Sequence, residues 1–101
     1  MNDQQMKRAL ITIGKECFVT YYELFSNGSL RNSDMAKQIQ EERRQYTWKS
    51  CQSRASHARA IIRARRAGDA LLLVHQSKRV SYHIRQKALR IANSLKQGTA
   101  G

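Results

Sequence analysis

Residues 65–84, RRAGDALLLVHQSKRVSYHI, decide which fold this chain adopts. Gly68-Asp69 breaks the pattern before them, and Leu71-Leu72-Leu73-Val74 then forms a short apolar run. Val80-Ser81-Tyr82-His83-Ile84 alternates with a period of two, as a half-buried strand does. Between these runs lies His75-Gln76-Ser77-Lys78-Arg79, which is polar and compatible with a turn. Two short runs joined in this way predict a β-hairpin over 71–84 with two cations at its tip. The competing reading places Val80, Ile84, Ala88, Ile91 and Leu95 on one face of a continuous helix. The hairpin is preferred, with the last helix starting near Arg85 and ending before Gly98. The expected fold class is therefore mainly α with a small β-hairpin (α+β).

Outward from this stretch the chain reads as helix. Met6, Leu10, Ile13, Cys17, Tyr21 and Leu24 recur at steps of three and four, and Phe18 and Phe25 widen the stripe. Residues 4–26 are read as one helix, or two in tandem split at Gly14, ending at Asn27-Gly28. Asn32 or Ser33 is expected to cap a second helix that carries Met35, Ala36 and Ile39 inward and fades by Arg44. The chain has no proline and no internal repeat. At 101 residues it is read as one domain, 1–97, with a flexible tail at 98–101.

The third helix, TWKSCQSRASHARAIIRARR at 47–66, is capped by Thr47. At 100° per residue, Trp48, Cys51, Ala55, Ala58 and Ile62 share an arc of about 80°, which predicts a buried stripe with Trp48 as its anchor. The opposite face holds Lys49, Ser53, Ser56, His57 and Ala60, with Ser50 beside them and arginines on the flanks. A merely solvated face is usually filled with long Lys and Glu side chains. Short hydroxyls between long cations suit a helix that approaches a groove closely.

Charge points the same way. Residues 1–42 carry five Lys/Arg and six Asp/Glu, whereas residues 43–101 carry fourteen Lys/Arg and one acid, Asp69. A neutral part joined to a part with a net charge of +13 is expected to meet a polyanion. No apolar run approaches the ~20 residues of a membrane span. Cys17 and Cys51 fall on apolar faces, and His57, His75 and His83 show no ligand-pair spacing with them, so no metal site is expected. No cofactor is expected either, since phosphate-cradling glycine motifs are absent. The seven acids are scattered and no nucleophile–base pairing has supporting spacing, so the chain is not read as an enzyme.

The order of elements resembles a winged helix-turn-helix domain, a DNA-binding family. The residues that carry the resemblance are NSDMAKQI, TWKSCQSRASHARAII and RRAGDALLLVHQSKRVSYHI, within residues 9–84. It implies a third helix entering the major groove by its N-terminal end. Lys49, Ser50, Ser53 and His57 would then face base edges, with Gln52 and Arg54 at the margins. Lys78 and Arg79 at the wing tip would reach the adjacent minor groove or backbone, and Arg43 and Arg44 would lie near phosphate.

The function expected on these grounds is sequence-specific binding of double-stranded DNA by a small transcriptional regulator. A bacterial or phage protein of the cytoplasm, at the nucleoid if bacterial, fits this reading. The terminal helices are expected to pair two copies or to close the core of a monomer. No membrane or small-molecule partner is expected. The alternatives are an RNA-binding or ribosome-associated protein, and an inhibitor or adaptor docking on an acidic partner.

Overall fold

The computed structural model describes the backbone of residues 1–100 and the side chains of residues 1–96; the tail expected at 98–101 lies outside the latter. Among the described residues, seven helices follow one another: α1 (Asp3–Ile13), α2 (Lys15–Thr20), α3 (Tyr22–Phe25), α4 (Asn32–Glu42), α5 (Trp48–Arg63), α6 (Ala67–His75) and α7 (Tyr82–Ala100). No strand occurs among the described residues. The α+β expectation, the hairpin at 71–84 and the resemblance to a winged helix-turn-helix domain are therefore overturned.

The physical reason is visible in the stretch that misled. Ala67, Ala70, Leu71 and Val74 are buried, and their spacing is that of a helix face rather than a strand. Leucine is a strong helix former, and Leu71–Leu73 carries no β-branched residue. The apparent alternation of Val80, Tyr82 and Ile84 is a cap in disguise. Ser81 Oγ accepts from the Ile84 N–H (3.4 Å), which starts α7 at Tyr82. A two-stranded hairpin by itself is marginal in water, whereas these two helices bury apolar faces on each other. The competing reading of Ile84, Ala88, Ile91 and Leu95 as one inner helix face agrees with α7, with Val80 just before it.

The N-terminal apolar stripe is buried as its period requires, from Met6 to Phe25, with Leu24 half-buried. It breaks into three pieces rather than one or two. Gly14 at φ +90 ends α1 and begins α2, and Tyr21 separates α2 from α3. Asn2 caps α1 reciprocally with Gln5, its Oδ1 accepting from the Gln5 N–H at 2.8 Å. Phe18 stacks on Phe25 at 6.3 Å and meets Tyr22 edge-on, forming the aromatic centre of the core.

Helix α5 is the central element, packed between α1 and α4, while α6 packs chiefly on α7. Before α4, Arg31 rather than Asn32 or Ser33 is the cap residue. Asp34 reaches back to accept from the Arg31 N–H (3.0 Å), and that bond together with the Arg31 guanidinium holds its carboxyl below the usual range. At its other end, α5 finishes at Arg63 rather than Arg66. The Arg66 N–H donates to Ile61 O and the Arg65 N–H to Ile62 O, both at 3.0 Å, a Schellman closure. Its left-handed position is filled by Arg65 at φ +60, where glycine is usual. Arg65→Gly is expected to raise stability by about 1 kcal/mol, since an L-residue there is strained by roughly that amount or more. Urea unfolding checks this, and a variant no more stable than its parent would contradict it.

Candidate nucleic-acid interface

The exposed face of α5 is not the one that the apolar spacing predicts. Cys51, Ala55, Ala58, Arg59 and Ile61 are buried, whereas Trp48 is 40 % exposed and not a core anchor. The open arc holds Trp48, Lys49, Gln52, Ser56, Ala60 and Arg63. It is turned by roughly 50° from the expected ridge, at 100° per residue. The turn arises because α1 covers the Ser50–Ser53–His57 side. These three are only partly exposed, and His57 lines a groove with Gln5, Arg8 and Thr12 of α1. His57 Nδ1 lies 2.7 Å from Ser53 O and 3.3 Å from Ser53 Oγ, so its ring is turned back on its own helix.

Two arginines of this helix serve the fold. Arg54 donates from Nε to Ser50 Oγ (3.1 Å) and from Nη1 to Ile13 O, and it lies 4.0 Å from the centre of the Tyr46 ring. It thereby closes the carbonyl end of α1 and steadies the turn before α5, and it is not a margin of a binding face. Arg59 is only 8 % exposed. Its guanidinium donates to Phe25 O (3.1 Å), Asn27 O (3.0 Å) and Leu30 O (2.9 Å), and meets Met35 Sδ. It holds the whole connection between α3 and α4.

The same sorting applies elsewhere. Arg43 donates to the Tyr21 hydroxyl (3.3 Å), which keeps Arg43 firmly protonated, and burial pushes the Tyr21 phenol up so that it stays neutral. Arg66 ties Asp3 and Asp69 together and takes Met1 O (2.9 Å); its hydrogen bond and charge hold Asp3 below the ordinary carboxylate range. Arg85 donates to His75 O (2.8 Å), and Lys87 binds Glu23 (3.2 Å) and Thr20 O. In contrast, Arg44, Lys49, Arg63, Arg65, Lys78, Arg79 and Arg90, and in the first part of the chain Lys7, Arg8 and Lys37, are exposed, with no side-chain hydrogen bond or ion pair among the described residues. Cations with no internal task are the ones available to a polyanion.

Of the ten residues expected at the interface, Lys49, Gln52, Arg44, Lys78 and Arg79 are exposed. Ser50, Ser53 and His57 are partly covered by α1, and Arg43 and Arg54 are engaged inside the fold. Lys78 and Arg79 lie at no wing tip but in the turn between α6 and α7. The sequence places Arg63 on a flank of the expected face but singles out neither Arg65 nor Arg90. Arg90 could be signalled only by its spacing on α7, whose rotation is set by packing, and Arg65 lies in the closure after α5.

Burial raises the thiols of both Cys17 and Cys51, which makes them poor nucleophiles. Among the described residues, no three His, Cys, Asp or Glu side chains come together in a way that could hold a metal ion. Among the described residues, no helix is long and apolar enough to cross a membrane. Comparison with protein-family models, curated proteins and solved structures finds no match to this chain.

Proposed function

We propose that the chain binds double-stranded DNA in a sequence-dependent way, as a small cytoplasmic transcriptional regulator, through the open face of α5. One observation carries this reading. Lys49, Gln52, Ser56 and Arg63 share that face, Arg44 stands in the turn before it, and no acid lies on it. The cations offer contacts to phosphate, which position a helix, and Gln52 offers paired bonds to an adenine edge, which specify a sequence. A helix lying in a groove places both kinds of contact within one arc.

The test is selection from a randomised duplex library, followed by binding titrations between about 50 and 200 mM salt. Log K is expected to fall with log salt, with a slope of about 0.9 per phosphate contacted. Lys49→Ala should weaken all sequences alike, whereas Gln52→Ala should chiefly flatten the preference at one position. Equal losses on every sequence for both variants would rule out specific readout. Sedimentation of the complex with the selected site gives the number of chains bound to it.

A second reading is favoured by one feature. Trp48 and Tyr82 are exposed, at 40 % and 73 %, and exposed aromatics are what single-stranded RNA bases stack on. Competition between duplex DNA and structured RNA at fixed salt separates the two.

A further inference from the structure

Three connections in this fold are built alike. The 27–30, 43–46 and 77–80 segments each close with a bond from the fourth N–H to the first carbonyl: Leu30 to Asn27 (3.2 Å), Tyr46 to Arg43 (2.9 Å) and Val80 to Ser77 (3.2 Å). In each, the fourth residue is a hydrophobe packed against the core, and the residue after it precedes a helix. Two of the three match further. Thr47 and Ser81 cap α5 and α7 by their hydroxyls. The first helical residue is then an exposed aromatic (Trp48, Tyr82), the second an exposed basic side chain (Lys49, His83), and the fifth an exposed glutamine (Gln52, Gln86). The ninth residues, Ser56 and Arg90, are exposed as well.

The match includes the rotation of each helix about its axis. Counted from the first residue at 100° steps, the exposed arc of α5 covers about 0–120°. In α7 the exposed Tyr82, Asn93, Gln86, Arg90, His83 and Ser94 occupy about 0–120°, with exposed Lys96 about 40° outside that arc. The turn does not impose this phase. Helix α4 follows the same turn, yet its fifth residue, Ala36, is buried, its first turn carries an acid, and Arg31 before it is paired with Asp34. The two matched helices also share a charge pattern. Arg44, Lys49 and Arg63 belong to the first unit, and Lys78, Arg79 and Arg90 to the second; all six are exposed and unpaired. Asp69, the one acid after residue 42, is held by Arg66.

The second unit is also held firmly. Arg85 Nε donates to His75 O across the turn, while His75 Nδ1 lies 3.1 Å from Arg85 O. Lys15 Nζ donates to Ser77 Oγ (3.1 Å), fixing the turn to the start of α2. None of these clamping groups belongs to the exposed arc, so the arc is presented by a scaffold that does not need it.

We infer that the turn at 77–81 and the open face of α7 form a second DNA-contacting unit, equivalent to that of α5, so that one chain carries two surfaces able to contact duplex DNA. This rests on the DNA-binding reading of α5. The side chains of Lys78, Arg79 and Arg90 take phosphates, Gln86 reads an adenine edge as Gln52 does, and Tyr82 packs against the sugar or a thymine methyl. Duplex DNA is the occupant because the paired glutamines suit a major-groove edge while the cations track a backbone.

The experiment uses the full chain and a labelled mixed-sequence duplex of about three helical turns. Two triple variants are compared, Arg44→Ala/Lys49→Ala/Arg63→Ala and Lys78→Ala/Arg79→Ala/Arg90→Ala. Each is expected to make the salt slope of log K shallower by about 2.7, at about 0.9 per phosphate contact. Gln52→Ala and Gln86→Ala are expected to relax adenine preference at two different positions of the selected site, each by roughly 5- to 150-fold. Unchanged helical circular dichroism and melting temperature show that the exposed substitutions leave the fold intact. If the second triple variant keeps the parent slope and affinity while the first loses both, the second unit is overturned and the α5 reading stands. If the parent binds no duplex even at low salt, or prefers structured RNA, both readings fall.

Discussion

Arg59→Ala is expected to unfold at about 3–5 kcal/mol less free energy than the parent. The buried guanidinium is the donor to three carbonyls, those of Phe25, Asn27 and Leu30. Leaving a buried acceptor without its donor costs about 1–3 kcal/mol; Phe25 O and Leu30 O lose the guanidinium, whereas Asn27 O keeps the Leu30 N–H at 3.2 Å. The side chain also fills space between α3, α4 and α5 with its stem, so truncation adds a packing loss. Against a total of roughly 5–15 kcal/mol for a domain, the loss is large. Arg59→Met separates the two effects. It keeps most of the stem and removes every donor, so a loss close to that of alanine shows that the hydrogen bonds dominate. Arg59→Lys should recover only part, because one ammonium does not reproduce the planar fork. Guanidinium unfolding followed by circular dichroism reads all three, and a loss under about 1 kcal/mol for alanine would contradict the role assigned to this residue.

Gly14→Ala is the second large effect, expected at about 2–4 kcal/mol. Gly14 has φ +90 and ψ 129, a conformation outside the left-handed helical region that asparagine tolerates. Strain of this kind costs of order 1–3 kcal/mol for any other residue. An added Cβ would also stand 3.2 Å from Arg54 Nη1. That atom has little freedom to give way, because Arg54 is fixed by Ile13 O, Ser50 and the Tyr46 ring. A double-mutant cycle with Arg54→Ala tests the argument, since the Gly14→Ala loss should shrink when the guanidinium is absent. Equal losses in both backgrounds would assign the whole effect to backbone strain.

Much of the scaffold was legible in the residues. The stripe from Met6 to Phe25 marked a buried helical face because burial on a helix repeats every three to four residues. Thr47 announced the start of α5 because a hydroxyl there satisfies an amide that the helix leaves open. Met35, Ala36 and Ile39 are buried as read. The stretch 65–84 was ambiguous for a physical reason. Four apolar residues in a row suit a strand or a buried helix equally, and Ser81 reads as one beat of an alternation or as a cap. The choice lay with what α6 and α7 bury together.

The candidate interface was legible in its sign and not in its members. Fourteen cations after residue 42 declared a basic part, but formula charge does not distinguish a guanidinium that closes a helix end from one that faces water. Arg54 and Arg59, five and ten positions after exposed Lys49 on the same helix, differ from it through the contacts around them. Trp48 looked like an anchor because it lies at the edge of the apolar arc, and α5 is rotated so that Arg59 and Ile61 are covered instead.

By itself, then, the sequence determined that this chain makes helices with apolar stripes, where several of them start, and that its second part is strongly basic. These are local properties, set by side-chain period, by hydroxyls at caps and by counted charge. Only the tertiary structure decided that residues 65–84 form two helices, which face of α5 is open, and which cations are spent inside the fold. Those outcomes depend on groups distant in the chain, such as Ile13 O for Arg54 and the 25–30 carbonyls for Arg59, coming together around a shared core.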